Sequence, residues 1–581
     1  MNRTDWRLLQ GVTALDFEFA ELCARLDKPS LADTTFRWAL LVSREIGFGH
    51  TCLYPLERAG ENIPLTASGE PLAFPDRAEW EKFAAESEVL GKPGEYKMLI
   101  NDSGKLYLHR YHTCETELAA ALRAFAAEKA VHDAGTSAYD LITQIFPDTK
   151  SSHQRQAASS VLSRRLTVLS GGPGTGKTTT VVRLLYLLLV FNPRMRIAMA
   201  APTGKAAARL SEALRQALLF LQNEIQGLNP EIVDILSRFE GQTIHKLLRA
   251  QGNTGTFLIG PDNPLPHDAV IVDECSMLDI ALTNQLVQSL NPYASLILLG
   301  DRDQLSSVEA GSVFADICEA ASAGAFPDST MITLTESRRF AAHPGIGALA
   351  AAVNCASDND FRPFRDIFSK YSNELLWIDL PEPAHLEKIL RNEIINGYLP
   401  CLEALRSDAQ AAALKALEGL RILCATRHGS YGVEAMNRLC RRVLYREGLL
   451  HSADRLCDGV PVMVTRNNYS QGLFNGDVGI IHGGQACFPS GTEGDVRRIP
   501  TALLPDYEPV FAMTIHKSQG SEFDRVLIML SHDGERVLTR QLLYTGITRA
   551  RAQVIVCGTE EVFCKTTAAS AKRASGLTER F

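Results

Sequence analysis

The stretch Gly171-Gly-Pro-Gly-Thr-Gly-Lys-Thr178 is the most informative part of this sequence, because it matches the complete GxxxxGK[ST] phosphate-binding pattern. An apolar run, Leu166–Ser170, precedes it, and a helical pattern over Thr179–Leu188 follows it. In this setting the glycines let the backbone wrap a phosphate with its N–H groups pointing inward, and the helix N-terminus adds to the attraction. The sequence therefore predicts binding of a nucleoside triphosphate, with Lys177 at the β and γ phosphates and the Thr178 hydroxyl on Mg²⁺.

Composition permits several classes of protein and argues against others. The 581 residues are 45% hydrophobic and 22% charged, which is typical of a globular chain with more than one core. No apolar run reaches the roughly 18 residues of a membrane span, and the N-terminus leads into no signal-peptide core. The 13 cysteines form no CxxC pair, which indicates neither a zinc site nor a disulfide framework. We therefore expect a cytoplasmic location and no membrane partner.

The net charge limits how this chain can bind a polynucleotide. It is −8, with a pI near 6.0, which argues against a uniformly basic, nucleic-acid-coating surface. Any such site must be local and lined by particular side chains.

The pattern of apolar residues predicts an α/β protein with two parallel-sheet lobes. Short apolar strands alternate with helices, which implies parallel sheets covered on both faces. Residues 1–110 indicate a helical N-terminal domain, residues 111–345 a first lobe and residues 346–581 a second lobe. Residues 458–510 are rich in Gly, Pro and β-branched residues and contain Asn475-Gly476, which predicts a small β insertion. The predicted strands are Leu166–Ser170, Arg196–Ala200, Ala269–Val272, Ser295–Leu299, Arg421–Thr426, Arg525–Leu530 and Ala552–Cys557.

Polar residues follow two of these strands, at the edge where ligands of open parallel sheets bind. Asp273 and Glu274 come directly after Ala269–Val272. This pair suits a site in which Asp273 holds Mg²⁺ and Glu274 polarises the attacking water. Gln304 lies in the loop after Ser295–Leu299, where a neutral amide can detect the loss of a γ-phosphate. The alternative for each is a polar loop without a chemical role.

Two further stretches predict contacts with a polynucleotide. Ala201–Arg209 follows a strand and opens a helix, so that Thr203, Lys205 and free backbone N–H groups could bind a phosphate. Thr243 and His245 could add contacts, although an isolated histidine is as often structural.

The order of these pieces resembles a superfamily 1 helicase, and the match is close to the RecD family, the alpha subunit of exodeoxyribonuclease V. The resemblance runs from about Gln154 to Arg551, and Gln154 matches the family's adenine-reading glutamine. Glu336-Ser-Arg-Arg-Phe340 looks like motif IV, which implies that Arg339 contacts the γ-phosphate. The resemblance also implies nucleotide contacts throughout the phosphate loop, at Gly172, Gly174, Thr175, Gly176, Lys177, Thr178 and Thr179.

The second lobe carries the remaining motifs. Ala512–Phe523 resembles motif V, and Tyr544–Arg551 resembles motif VI. The latter implies that Arg549 is an arginine finger, which neutralises charge on the transferring phosphoryl group. In motif V the resemblance implies that Thr514, His516 and Lys517 touch the nucleic-acid strand, while Gly520 and Glu522 approach the nucleotide.

This resemblance implies a function, cofactors and partners. It implies an ATP- and Mg²⁺-dependent DNA helicase that moves 5′ to 3′ and acts with RecB-like and RecC-like subunits in a heterotrimer for double-strand break repair and recombination. Residues 1–110 would dock those subunits, so that deleting this domain should spare ATPase activity. The β insertion would be SH3-like. Residues 246–268 would form a strand-separating hairpin, or simply a surface hairpin.

Alternatives of other classes stay open at this point. The chain could be a free-standing superfamily 1 helicase acting on DNA or RNA, or an ATP-gated nucleic-acid-binding scaffold. The intact set Glu274, Gln304, Arg339 and Arg549 favours a working motor over a scaffold. Nuclease activity is expected in a partner, because Asp148-Thr-Lys150 is a lone DxK fragment without a convincing upstream acid.

Overall fold

Two parallel sheets form the frame of the molecule. The computed structural model describes residues 3–63, 71–129, 136–147, 152–252, 255–356, 360–452, 454–468, 470–490, 494–534 and 537–581. The prediction of an α/β fold with two parallel-sheet lobes is confirmed. No helix among these residues is both long enough and apolar enough to cross a membrane.

The N-terminal region is mainly helical, as predicted, and also holds two small sheets. Trp38 and Trp80 pack edge to face in its core, with ring centroids 5.2 Å apart. Thr13 and Asp16 form a capping box that fixes the start of the first long helix. The helices are α1 (Ala14–Leu26), α2 (Ala32–Gly47), α3 (Pro55–Arg58), α4 (Arg77–Glu86) and α5 (His109–Ala127), and the strands are β1 (Asn62–Ile63), β2 (Leu72–Ala73), β3 (Leu90–Gly91), β4 (Leu99–Asp102) and β5 (Lys105–Leu108).

The first lobe has a six-stranded parallel sheet. Its strands are β6 (Leu166–Gly171), β7 (Ile197–Ala201), β8 (Gly241–Thr243), β11 (Ala269–Val272), β12 (Ser295–Gly300) and β13 (Met331–Leu334), and the hairpin strands β9 (Ala250–Gln251) and β10 (Thr256–Phe257) lie outside it. The order is β13-β6-β12-β11-β7-β8. The helices are α6 (Thr136–Ile145), α7 (Ser152–Ser163), α8 (Lys177–Phe191), α9 (Gly204–Glu224), α10 (Pro230–Ser237), α11 (Ile244–Leu247), α12 (Ile280–Gln288), α13 (Val313–Ser322) and α14 (Arg338–Ala342).

All four strands predicted for this lobe are present, within one residue at each end. They are fully buried, which explains why each is a continuous apolar run. The outermost strands β8 and β13 were not predicted, because edge strands are only partly buried and lack that run.

The second lobe has a five-stranded parallel sheet in the order β14-β23-β22-β15-β21. Its strands are β14 (Leu375–Asp379), β15 (Leu420–Cys424), β21 (Ala512–Thr514), β22 (Phe523–Met529) and β23 (Ala550–Gly558). Three of them match the predicted strands. The helices of this part of the chain are α15 (Pro344–Cys355), α16 (Arg362–Lys370), α17 (Leu386–Arg406), α18 (Gln410–Ala416), α19 (Val433–Arg446), α20 (Arg540–Ile547), α21 (Glu560–Ala568) and α22 (Leu577–Arg580).

The predicted β insertion is a five-stranded antiparallel sheet in the order β19-β18-β17-β16-β20. Gly476 of the predicted Asn-Gly turn has a φ of 94°, which a side chain would disfavour. The strands are β16 (Pro461–Val464), β17 (Val478–His482), β18 (Gln485–Pro489), β19 (Val496–Pro500) and β20 (Tyr507–Pro509).

The last nine residues, 573–581, leave the second lobe and lie against the first lobe and the N-terminal region. Leu577 is fully buried in the core that α5 shares with the first sheet. The Phe581 ring lies 4.9 Å from the Phe326 ring, and Lys105 pairs with Glu579. We call residues 573–581 the C-terminal tail. The tail therefore packs with the first lobe and the N-terminal region, although the boundaries proposed from the sequence assign it to the second lobe.

Candidate nucleotide and nucleic-acid sites

The phosphate loop joins β6 to α8, as predicted from its pattern. Gly174 and Gly176 have φ angles of 75° and 78°, a conformation that glycine adopts without strain. Thr175 donates its hydroxyl to the Gly172 carbonyl at 2.8 Å, which tightens the loop. A Cβ on Gly174 would lie 2.5 Å from the Cβ of Arg339, so the loop is packed directly against motif IV.

Lys177 opens helix α8 and is half-buried beneath the loop. Its ammonium donates to the carbonyls of Gly171 and Gly172, the latter at 3.2 Å. Gln154 lies beside the loop. A Cβ added to Gly176 would lie 3.4 Å from its Nε2 atom, which is van der Waals contact. The predicted ligands Thr178 and Thr179 follow in the first turn of the helix and are likewise partly exposed. The structure therefore brings the predicted phosphate-binding residues and Gln154 together.

The two predicted acids follow β11 in the centre of the same sheet edge. Asp273 accepts a hydrogen bond from the backbone N–H of Glu274 at 2.9 Å. Burial and the neighbouring Glu274 raise the pKa of Asp273, whereas the nearby Lys177 ammonium opposes that rise. Glu274 has a φ of 55°, which is uncommon for a residue other than glycine and occurs preferentially at functional sites. The structure thus places the acid pair near the phosphate-loop lysine.

Gln304 is buried in the loop after β12, the strand next to β11, and is held by Asp301. Its Nε2 donates to Asp301 Oδ2 at 3.1 Å, and the Tyr544 hydroxyl from the second lobe donates to the same oxygen at 3.0 Å. Burial raises the pKa of Asp301, and the Lys177 ammonium opposes it. The Oε1 atom of Gln304 is buried without a hydrogen-bond partner. An acceptor left unpaired in this way is costly and indicates a place for a donor.

Arg339 bridges from the first lobe to the second lobe. Its guanidinium forms an ion pair with Glu522 of motif V and donates to the Thr548 carbonyl at 3.4 Å. Burial is the largest single influence and would raise the pKa of Glu522, but Arg339, through its charge and hydrogen bond, together with the charges of Arg209 and Arg549, holds that pKa below its usual range. Two predicted nucleotide contacts therefore contact each other in this structure.

Arg549 is almost fully buried on the second lobe and faces the same cleft. It donates to the carbonyls of Thr545 and Ser521 at 3.1 and 3.3 Å. Burial lowers the pKa of its guanidinium, and the charges of Glu274 and Glu522 oppose this effect. Arg549 thus lies within electrostatic reach of the predicted general base on the opposite lobe.

The predicted nucleic-acid contacts of the first lobe lie at the ends of two adjacent strands. Ala201 of β7 pairs with Thr243 of β8, so Thr203 and Thr243 occupy the same edge. Each threonine caps the helix that follows it, through hydrogen bonds from Ala206 N and Lys246 N. His245 is exposed and lies 5.9 Å from the Phe257 ring of the β9–β10 hairpin.

Lys205 lies between the first lobe and the tip of the β insertion rather than on an open surface. A Cβ on Gly204 would contact the Phe474 ring at 3.3 Å, and one on Gly476 would lie 3.6 Å from Lys205 Cδ. Burial and the nearby Arg209 charge lower the pKa of Lys205 to about 8.

The predicted contacts of the second lobe are partly engaged with protein groups. Thr514 ends β21 and accepts a hydrogen bond from Lys517 N at 3.2 Å. The Lys517 ammonium pairs with Glu508 at 2.6 Å, and burial lowers the pKa of His516. Gly520 adopts a φ of 68°, and its carbonyl accepts a hydrogen bond from Arg209 at 2.5 Å.

Three residues at this site received no role from the sequence. Arg209 and Tyr544 reach across the cleft to the opposite lobe, and Ser337 donates to the Pro173 carbonyl of the phosphate loop at 3.0 Å. Arg209 and Tyr544 lie within stretches that match motifs, and this was the only indication in the sequence that they belong to the site. Their partners lie 311 and 243 residues away, so sequence spacing could not identify them.

The arrangement fits a nucleoside triphosphate. The glycine loop, the Lys177 ammonium and the acid pair lie at one edge of the sheet, and Asp301 holds Gln304, with its unpaired Oε1, close to Lys177. Asp273 and Thr178 supply a carboxylate and a hydroxyl, the oxygen ligands that Mg²⁺ prefers. The Asp148-Thr-Lys150 fragment that was considered for nuclease chemistry lies outside the described residues, as does part of the tip of the β9–β10 hairpin.

Comparisons with known proteins agree with these motifs. Residues 9–107 match the N-terminal domain of the RecBCD enzyme subunit RecD, residues 154–310 match an AAA domain and residues 509–557 match the UvrD-like helicase C-terminal domain. The RecBCD enzyme subunit RecD of Mycobacterium tuberculosis is 38% identical over 89% of this chain and 87% of that protein. The subunit from Haemophilus influenzae is 32% identical over 76% and 74%. The ATP-dependent RecD2 DNA helicase of Deinococcus radiodurans is 28% identical over 82% of this chain but 57% of that protein.

The two lobes, their ordered motifs and these matches define an ATP-binding P-loop helicase of superfamily 1. The chain belongs to the RecD family.

Proposed function

We propose that this RecD-family chain is the 5′ to 3′ translocating subunit of an exodeoxyribonuclease V-like complex that processes DNA double-strand breaks. The observation that carries the proposal is the cleft, where the first lobe holds Lys177 and the acid pair, and Arg549 is buried on the second lobe within electrostatic reach of Glu274. Direct contacts such as the Arg339–Glu522 ion pair join the lobes across this cleft. Glu274 is the predicted general base, and Arg549 is the charge that would stabilise the transferring phosphoryl group.

Bound ATP supplies the phosphoanhydride bond that is hydrolysed. Lys177 would exchange its two loop carbonyls for phosphate oxygens, while Thr178 and Asp273 would hold Mg²⁺. Gln154 would contact the base, and Arg339 would exchange Glu522 for the γ-phosphate. Glu274 would accept the proton of the attacking water. Each exchange differs between the bound and free states, so binding can shift the two lobes relative to each other.

The DNA strand would cross the sheet edges of both lobes. Thr203 and Thr243 lie at the end of β7 and β8, and Thr514 lies at the end of β21 in the second lobe. Helix N-terminal N–H groups at these positions suit backbone phosphates. If the two lobes grip the strand alternately as the cleft closes and opens, each ATP hydrolysed advances the motor in one direction.

The partner proposal draws support from the family. Two of the three relatives named above, those from Mycobacterium tuberculosis and Haemophilus influenzae, are RecBCD subunits, and residues 9–107 match the N-terminal domain of RecD. We propose that this N-terminal region docks RecB-like and RecC-like subunits in the cytoplasm and that the nuclease activity belongs to a partner.

A single set of measurements tests the proposal. The purified chain should hydrolyse ATP faster with single-stranded DNA than without it, and should unwind a duplex with a 5′ overhang but not one with a 3′ overhang. Native pull-down should recover two large subunits. ATPase activity without unwinding would favour a scaffold, and unwinding by a chain that recovers no partner would favour a free-standing helicase.

A further inference from the structure

The loop that follows Gln304 is irregular and depends on outside donors for its order. Residues 305–311 contain no helix or strand. Unpaired carbonyl groups in such a segment need hydrogen-bond donors from elsewhere. We call this segment the sensor loop, because it begins next to the residue proposed to sense the γ-phosphate.

Arg573 of the C-terminal tail supplies those donors. Its guanidinium donates to the carbonyl of Ser307 at 2.5 Å and to those of Glu309 and Gly311 at 2.8 Å each. Three carbonyls of one short loop thus converge on one side chain. A planar guanidinium can satisfy several acceptors at once, which an ammonium does less well.

The N-terminal region contacts both the sensor loop and Arg573. The Gly49 carbonyl accepts a hydrogen bond from Gly311 N at 2.9 Å. Gly49 has a φ of 91°, and a Cβ on it would lie 2.5 Å from Cζ of Arg573, so the guanidinium packs flat against a bare backbone. The neighbouring His50 accepts a hydrogen bond from Ala574 N at 2.8 Å.

The N-terminal end of the sensor loop is held by the second lobe. Leu305 N donates to the Thr545 hydroxyl at 2.9 Å, and Gln519 Nε2 donates to the Leu305 carbonyl at 2.8 Å. Gln519 belongs to motif V and Thr545 to motif VI. The sensor loop is therefore fixed to the second lobe at one end and to Arg573 at the other.

We propose that Arg573 is a positioning residue for ATP turnover, holding the sensor loop so that changes at Gln304 reach motifs V and VI. This role rests on the proposed function of Gln304. The hydrogen bonds that the structure shows for Arg573 go to the sensor loop rather than to the phosphate loop, so nucleotide affinity should not depend on it. Because the same guanidinium packs on Gly49, a partner bound to the N-terminal region would also act on the motor through this contact.

The test compares three variants of the full chain. Arg573→Ala should lower the kcat of ATP hydrolysis on single-stranded DNA by about fivefold or more, with KM for ATP and nucleotide Kd within about twofold. Arg573→Lys should fall between Arg573→Ala and the wild type. Lys572→Ala, an exposed change one residue earlier in the chain, should match the wild type.

Hydrogen exchange gives a readout that general destabilisation would not reproduce. In Arg573→Ala the amides of residues 305–311 should exchange faster, while those of residues 171–178 should be unchanged. If Arg573→Ala does not fold, Ser307→Ala is the second variant. The Ser307 hydroxyl donates to the Glu309 carbonyl at 2.8 Å, and its loss should give a smaller change in the same direction.

Three results would overturn the proposal: an unchanged kcat, unchanged exchange in residues 305–311, or a rise in nucleotide Kd that equals the loss of kcat. A wild-type chain without DNA-stimulated ATPase activity would instead contradict the proposed function. In that case the intrinsic turnover and the exchange measurements would still decide the role of Arg573.

Discussion

Lys177 illustrates how a single side chain can be important for chemistry and unimportant for folding. Its ammonium donates to two carbonyls of its own loop, and the side chain is partly exposed. We expect Lys177→Ala to reduce ATP turnover on the order of 10²- to 10³-fold, because it removes a charged donor to the phosphates. The thermal midpoint should change little. Lys388→Ala, at an exposed lysine on α17, is the matched control, and near wild-type turnover in Lys177→Ala would contradict the assignment.

Arg549 and Arg339 should differ from Lys177 in how they affect binding and chemistry. Arg549→Ala should lower turnover on the order of 10³-fold while nucleotide affinity stays within about threefold, because its charge acts mainly in the closed transition state. Arg339→Ala should have a similar but smaller effect, since it also leaves Glu522 without its partner.

Equilibrium binding of a fluorescent nucleotide and steady-state ATPase assays check this pair. Arg549 is buried, so thermal melting must accompany them. A loss of affinity as large as the loss of turnover would make Arg549 a ground-state ligand.

Lys205 should make DNA binding dependent on pH. Burial and the charges of Arg209 and Arg421 lower its pKa to about 8, while Asp477 and Glu418 act in the opposite direction. The ammonium is charged below that pH and neutral above it, so affinity for single-stranded DNA should be full near pH 7 and fall as the pH rises through 8.

Fluorescence polarisation at fixed ionic strength measures this dependence. Lys205→Arg, which stays charged throughout, should remove it. An identical fall in the wild type and in Lys205→Arg would show that another group titrates.

At the scale of elements, helix α20 connects motif VI to the loop after β12. Tyr544 on α20 donates to Asp301 at 3.0 Å, and Asp301 in turn holds Gln304. We expect Tyr544→Phe to lower DNA-stimulated turnover about two- to tenfold, because one hydrogen bond between the lobes is lost. Nucleotide affinity should be nearly unchanged.

The matched control for α20 is Tyr431→Phe, which removes a hydroxyl that donates to the Pro381 carbonyl away from the cleft. Equal effects of the two variants would show that the Tyr544 hydroxyl does not couple the lobes.

At the scale of the whole molecule, the tail ties three parts of the chain together. Leu577 is fully buried against the first lobe although it follows the second lobe in sequence. Leu577→Ala should lower the free energy of unfolding of that lobe by about 2 to 5 kcal/mol. Urea denaturation measures this loss of stability. The control is Leu503→Ala, because the Leu503 side chain is 61% exposed. A tail that is detached in solution would give no difference between the two variants.

The same contacts change one expectation from the sequence. Thr51 and Tyr54 of the N-terminal region bond to Ala574 and Ser575 of the tail. Deleting residues 1–110 would therefore remove support from the tail and from the sensor loop. We now expect that deletion to lower both stability and ATPase activity, so point substitutions are the better way to separate docking from turnover.

Features that contiguous residues encode could be predicted from the sequence alone. The phosphate loop, the acid pair after β11 and the buried strands each follow from a short pattern, because each needs only neighbouring residues or continuous burial. The family followed from the order of such patterns. Gln304 could likewise be placed after its strand.

Which distant side chains contact each other could be read only from the folded chain. The pairs Arg339–Glu522 and Lys517–Glu508, the position of the half-buried Lys205 beside Gly476 and the contact of Arg573 with the sensor loop join groups that sequence patterns do not link. Even the short separation between Lys517 and Glu508 gives no sign of the ion pair, because β20, β21 and the turn after it set its geometry. Periodicity reports whether a residue is buried, whereas its partner depends on how separate elements pack together.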